Sequence, residues 1–119
     1  MSNKIYPCLW FDGKAKEAAS FYCAVFENTV IAVENPIVVI FTINGKKIMC
    51  LNGGPKFDIN PAISFFANFD TEDQINAAWE KLSDGGMAMM PLNKYPFSNK
   101  FGWLVDKYGI SWQLNLTTS

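Results

Sequence analysis

The order of sequence patterns predicts an α+β fold built from two β-α-β-β-β modules. Three observations predict it. An apolar strand run, an amphipathic helix and three more strand runs occur before residue 52 and recur, in the same order, after residue 61. A turn-rich stretch, GGPKFDIN (53–60), separates the two occurrences. A short echo also survives, with MCLN (49–52) lying over WQLN (112–115). The chain has 119 residues, a common size for one compact domain. We therefore expect a single domain over 1–119, with module one at 1–52, a joint at 53–60 and module two at 61–119.

Each element has its own local reason. KIYPCLWF (4–11) carries aromatic and apolar side chains on both faces and reads as a buried strand. Asp12-Gly13 leads into KAKEAASFYCAVF, where Ala15, Ala18, Ala19, Phe21, Tyr22, Val25 and Phe26 share one helical stripe. TVIAVE (29–34) and IVVIFTIN (37–44) are β-branched runs split by Asn35-Pro36, and Asn44-Gly45 starts a tight hairpin into KKIMCLN. In the second half PAISFFANF reads as a strand. Thr71 with Gln74 forms a capping box for a helix whose stripe is Ile75, Ala78, Trp79 and Leu82, and Asp84-Gly85-Gly86 stops it. MAMMP, NKFGWLVD and GISWQLN give the last three strands. Met87, Met89 and Met90 are expected as gap-filling core, with an adaptable apolar wall as the alternative, and Lys94, Tyr95, Pro96 and Lys100 as a solvated loop that could act as a lid.

The terminal hairpin can be put in register. Asp106-Lys107-Tyr108-Gly109 suits a type I turn closed by a left-handed glycine, which pairs Val105 with Ser111 and Trp103 with Gln113. Alternation then sets Phe101 and Trp103 on one face with Ser111, Gln113 and Asn115, and turns Trp112 and Leu114 toward the helices. An amide row among aromatics points to a cavity wall rather than a dry core.

Composition excludes several functions. Ten basic residues, all Lys, balance eleven acidic ones, so the formal charge is −1 and there is no guanidinium to clamp phosphate or nucleic acid. The chain has no His, which removes imidazole nucleophile pairs and imidazole metal ligands. Cys8, Cys23 and Cys50 are odd in number and widely spaced, the pattern of reduced thiols in a cytoplasmic protein. No apolar run is long enough to span a membrane, and the N-terminus reads as lacking a signal peptide. Half of the residues are hydrophobic, enough for a sizeable core. Asp12, Glu17, Glu27, Glu72, Asp73, Glu80, Asp84 and Asp106 fall at turns, caps or polar helix faces, so no paired-carboxylate site is expected.

The strings WFDGKAKEAASFY, LNGGPKFDINPAISFF, WEKLSDGG and FGWLVDKYGISWQL, in this order, cover nearly the whole chain. They resemble the PhnB-like branch of the vicinal oxygen chelate (glyoxalase/bleomycin-resistance) superfamily, often labelled demethylubiquinone methyltransferase-like. The resemblance implies two β-α-β-β-β modules whose strands form a curved mixed sheet around a cupped cavity, and a homodimer. It departs at Asn35-Pro36, where relatives have a longer Gly-rich excursion. Metal-using members take ligands from the first, fourth, fifth and eighth strands. Those positions correspond here to Pro7, Cys50, Ala62 and Gln113, of which two cannot coordinate, one is a thiol and one a neutral amide. No metal and no cofactor are expected.

Strand parity from these positions lines the implied cup with Leu9, Phe11, Cys50, Asn52, Ser64, Phe66, Asn68, Phe101, Trp103 and Gln113. No catalytic residue is assigned. The expected partner is an unidentified small molecule held without metal, with no nucleic acid and no membrane. Two alternatives stay open: a metal-dependent lyase, isomerase or dioxygenase of the same superfamily, and a non-catalytic dimeric interaction module whose cavity is filled by its own side chains. The methyltransferase label finds no cofactor loop, since Gly53-Gly54-Pro55 lacks a strand–loop–helix setting.

Overall fold

A computed structural model describes residues 4–117. The elements are β1 (Cys8–Phe11), α1 (Ala15–Val25), β2 (Thr29–Glu34), β3 (Val38–Ile43), β4 (Lys46–Asn52), β5 (Ser64–Phe69), α2 (Glu72–Ser83), β6 (Met87–Tyr95), β7 (Ser98–Val105) and β8 (Ser111–Leu116). This is the α+β, twice-repeated β-α-β-β-β order that the sequence predicts. The strands form two four-stranded sheets, ordered β1-β4-β3-β2 and β5-β8-β7-β6. In each, a parallel pair (β1/β4, β5/β8) adjoins two antiparallel ones. The chain divides into two compact units, Met1–Asp58 and Ile59–Ser119. No helix among the described residues is long and apolar enough to cross a membrane.

In the first unit α1 buries Ala15, Ala18, Ala19 and Tyr22. Small side chains let the helix lie close to the sheet, and the Tyr22 ring packs 5.9 Å from that of Phe41. Val39, Phe41, Ile48 and Cys50 cover this face from β3 and β4, all buried. Asn44 and Gly45 both adopt left-handed backbone (φ 52° and 79°), which forms the two-residue hairpin between β3 and β4.

β1 is shorter than expected. Strand structure begins only at Cys8, and Ile5 is fully exposed. As an edge strand, β1 borders only β4, so KIYPCLWF is not buried on both faces.

In the second unit Thr71 Oγ1 accepts the Gln74 N–H while Gln74 Oε1 accepts the Thr71 N–H (both 3.2 Å), completing the capping box that starts α2. α2 then buries Ile75, Ala78 and Leu82 against a sheet face formed by Leu104, Trp112 and Leu114. The β7/β8 turn closes as expected, with Gly109 at φ +90° donating its N–H to Asp106 O at 2.9 Å. Three corrections concern β6 and β7. Lys94 and Tyr95 belong to β6 and Lys100 to β7, so no loop spans them and no lid is present there. The strand tolerates Pro91 because β6 is an edge, where a missing ladder N–H costs little. Met87 (66%) and Met89 (41%) are exposed, not core.

Candidate functional site

The register of the second sheet is the register that the hairpin signal requires. Trp103 pairs with Gln113, Phe101 with Asn115 and Val105 with Ser111. On the parallel side Ser64, Phe66 and Asn68 pair with Ser111, Gln113 and Asn115. Partners across a ladder share a face, so all of these project away from the helix-covered side. Phe65, on the opposite parity, packs on the Trp112 ring at 5.0 Å.

The open face carries a ladder of side-chain hydrogen bonds. Gln113 Nε2 donates to Ser64 Oγ at 2.8 Å. Trp103 Nε1 donates to Ser111 Oγ at 2.8 Å, which explains why Ser111 is buried although it shares this face. Asn115 Nδ2 donates to Asn68 Oδ1 at 3.0 Å, and Ser98 Oγ donates to Asn115 Oδ1 at 2.6 Å. Each rung ties two strands, fixing the amides in place at little further entropic cost.

Beside this ladder lies an open hollow of about 460 Å³. Its apolar lining is Phe66, Met90, Phe97, Phe101 and Trp103, and its polar lining is Gln113 and Asn115. Phe97 meets Phe101 edge to face at 5.1 Å and stacks on Tyr95 at 5.6 Å. Phe66 and Phe97 keep 56% and 66% of their surface exposed, so their rings form a wall that solvent reaches. None of the lining side chains is ionisable.

Four of the ten expected lining residues, Phe66, Phe101, Trp103 and Gln113, meet at this hollow. Ser64 and Asn68 share the face but act from behind, as the hydrogen-bond partners of Gln113 and Asn115. Met90, Phe97 and Asn115 were outside the expected set. The hairpin register already sets Asn115 on this face, and Met90 pairs with Trp103 across β6/β7, so register could have found it as well. Phe97 sits between β6 and β7, where alternation gives no face.

The four expected residues of the first unit require correction. Cys50 pairs with Leu9 and with Val39, and Asn52 pairs with Phe11, which places all of them on the α1-covered face. Phe11 and Cys50 are buried there. Asn52 Oδ1 accepts the Ala15 N–H at 2.9 Å at the start of α1, and its Nδ2 donates to Pro36 O at 3.1 Å. The amide therefore serves the helix N-terminus. The opposite face of β1 and β4 carries Trp10, Met49 and Leu51 in place of polar groups.

Burial pushes the Cys50 thiol up to about 12, with the neighbouring Cys8 and Cys23 adding to the shift. A raised thiol pKa means that the folded state holds the neutral form. Its contribution to stability is complete below the ordinary thiol value of 9.0 and is lost as pH rises toward 12. Iodoacetamide at pH 8 should therefore alkylate exposed Cys8 and leave Cys50 intact until the chain is unfolded. Mass spectrometry of tryptic peptides reads this directly; rapid native labelling of Cys50 would contradict its burial.

The metal-site geometry of the implied superfamily can be tested on these side chains. Among the described residues no three or more His, Cys, Asp or Glu side chains converge. The eighth-strand position is the neutral Gln113, already committed through Nε2 to Ser64. Two amides and a ring of hydrocarbon do not meet the donor demands of a divalent cation, so these residues do not fit one.

A sequence profile of the family described as 3-demethylubiquinone-9 3-methyltransferase matches residues 3–115. Among solved structures, a PhnB protein from Bacillus cereus is 40% identical over 96% of this chain and 99% of its own, with a TM-score of 0.89. Protein PA1353 from Pseudomonas aeruginosa is 22% identical over 99% of this chain and 100% of its own, with a TM-score of 0.83. A glyoxalase/bleomycin resistance protein from Albidiferax ferrireducens T118 is 13% identical over 98% of this chain and 100% of its own, with a TM-score of 0.70. The last two likenesses carry the fold alone. No curated protein matches the chain.

Proposed function

The chain belongs to the PhnB-like family described as 3-demethylubiquinone-9 3-methyltransferase, within the vicinal oxygen chelate superfamily, and from that premise we propose that it binds a small neutral molecule without a metal. The observation that carries this reading is Gln113 in a hollow without charge. Its Nε2 is engaged by Ser64, while its Oε1 accepts no hydrogen bond from a described residue. A carboxylate at this position would need a cation or would cost several kcal/mol, on the order of 3 or more, in a partly dehydrated site. An amide avoids that cost and still offers hydrogen bonds. Aromatic walls with a few convergent polar groups are the usual makeup of a small-molecule site.

The metal-dependent alternative needs anionic or imidazole donors that this face does not supply. Methyl transfer is likewise unsupported, because Gly53 and Gly54 follow β4 and lead into β5 with no helix between them to receive a phosphate or a cofactor.

Purified without an affinity tag, the chain should hold well under one equivalent of Mn, Fe, Zn or Ni, and EDTA should leave its Tm unchanged. Native mass spectrometry should detect a co-purifying organic molecule, or a neutral ligand should raise Tm in a screen. One tightly held metal per chain would reverse this reading. The homodimer implied by the family belongs to the same proposal, supported by the exposed Phe66, Met87 and Phe97. Light scattering should give twice the 13.4 kDa chain mass, and a monomer at all concentrations would remove that part.

A further inference from the structure

The proposed site has more chemistry on it than the word neutral conveys. Its lining contains two side-chain oxygens. Asn115 Oδ1 already accepts from Ser98 Oγ at 2.6 Å, and one N–H of its Nδ2 goes to Asn68 Oδ1. Gln113 Oε1 receives nothing from a described residue. The indole N–H of Trp103 is taken by Ser111 Oγ. Each amide also keeps one N–H beyond the one given to Ser64 or Asn68, so the side-chain acceptor of the wall without a partner among the described residues is the Gln113 carbonyl, held in a fixed orientation because the same amide is tethered to Ser64 on the next strand.

The apolar part is equally specific. Phe66 and Phe101 lie 6.3 Å apart at 31°, and Phe97 stands edge-on to Phe101 at 5.1 Å and 74°. This corner presents both ring faces and ring edges, and Phe66 and Phe97 remain largely exposed. Aromatic quadrupoles favour offset stacking and edge-to-face contact, so such a corner complements a flat π-system better than a saturated ring of equal area. Met90 adds a polarisable thioether that adapts to an aromatic edge. No Lys lines the hollow to neutralise an anion, and no carboxylate lines it to hold a cation.

Resting on the binding reading above, we infer that the ligand of the Gln113 hollow is an uncharged, flat aromatic molecule carrying an O–H or N–H donor on its edge, which it gives to Gln113 Oε1 while its ring packs on Phe66, Phe97 and Phe101. At about 460 Å³ the hollow accommodates a fused two-ring system with room for a substituent.

The test uses the full chain at pH 7 in equilibrium dialysis against 2-naphthol and three probes that each remove one feature. Naphthalene lacks the donor, decahydro-2-naphthol lacks the aromatic plane, and 2-naphthoate carries a charge. 2-Naphthol is expected to bind about tenfold tighter than each of the others, the scale of one well-made hydrogen bond or one favourable stack. Gln113→Leu, which removes the acceptor at similar volume, should collapse the 2-naphthol preference over naphthalene toward one. Any of the three probes binding within threefold of 2-naphthol to the unaltered chain overturns the inference while leaving small-molecule binding intact. A full preference retained in Gln113→Leu also overturns it, by placing the donor elsewhere. Failure of all four probes to bind overturns both the inference and the reading beneath it. Because the probe comparison needs only the unaltered chain, poor folding of Gln113→Leu would not rescue it.

Discussion

Replacing Asp106 by Ala is expected to cost on the order of 3–5 kcal/mol of folding stability. Asp106 is only 3% exposed, and donors on Tyr108, Ile110 and Trp112 reach its carboxylate. Oδ1 accepts the N–H groups of Tyr108 (2.8 Å) and Ile110 (3.1 Å), and Oδ2 accepts the indole Nε1–H of Trp112 (2.9 Å). Its own backbone closes the turn, with the N–H donating to Ile110 O at 2.8 Å. Truncation leaves a buried indole N–H and two turn amides without an acceptor, and each unsatisfied donor costs about 1–3 kcal/mol. Against a typical total of about 5–15 kcal/mol, that is a large share. Asp106→Asn keeps one acceptor oxygen and should lose roughly half as much. Urea denaturation followed by Trp fluorescence measures both, and an Ala variant within 1 kcal/mol of the parent would show that the three bonds contribute little.

The consequence reaches the hollow. The Asp106 turn sets which residue of β7 faces which of β8, and therefore sets Trp103 opposite Gln113. A loosened turn permits slippage, and a one-residue slip sends every side chain of β8 to the opposite face. Asp106→Ala should for this reason weaken ligand binding beyond the fraction explained by unfolding.

This turn also explains why the second unit was readable from the sequence and the first was not. DKYG is a local signal: four adjacent residues name the turn type, and the turn fixes the parity of both flanking strands. Phe101, Trp103 and Gln113 took their face from it, Ser64, Phe66 and Asn68 took theirs from parity counted from Ala62, and the register puts all six on one face. Nothing local fixes β1 against β4, a parallel pair joined through a helix and two strands. The MCLN/WQLN echo had to stand in for a turn. In the folded chain Gln113 projects from the open face while Cys50 lies beneath α1, so the echo is displaced by one residue. With a side-chain period of two, that single step misplaced Cys50 and Asn52, which lie on the α1-covered face, and parity counted from Pro7 did the same for Leu9 and Phe11.

Asn52 shows the limit from another side. A polar residue at the end of a strand reads as a cavity amide, but its acceptor is used 37 residues away on the Ala15 N–H, and only tertiary structure brings those two together. Phe97 eluded the sequence for a simpler reason. It stands in the connection between two strands, just after Pro96, which reads as part of a loop rather than as a tight reversal.

The Asp84-Gly85-Gly86 stop carries the second large prediction, because its two glycines serve different ends. Gly85 is at φ +78°, the left-handed position after α2, and a Cβ there would meet the Lys107 Cβ at 3.3 Å and its Cδ at 3.6 Å, close but not overlapping. Gly85→Ala should cost about 1 kcal/mol, the price of a β-carbon in left-handed backbone. Gly86 has ordinary backbone, yet a Cβ there would lie 2.3 Å from Val105 O and 3.0 Å from the Asp106 Cα. Both obstacles are main chain and cannot rotate aside. Gly86→Ala must push the start of β6 from the end of β7, where Met87 pairs with Val105, and it strains the same corner that Asp106 holds. Overpacking of this kind costs about 1–3 kcal/mol in cores where side chains can yield, so on the order of 3 kcal/mol is expected here. Conformational preference alone gives the reverse order, with Gly85 the sensitive position. Thermal melts of the two single variants decide between them: a Gly86→Ala chain as stable as Gly85→Ala would mean that β6 yields freely at this corner, and that the sheet edge bearing Met90 is not rigidly held against the wall of the hollow.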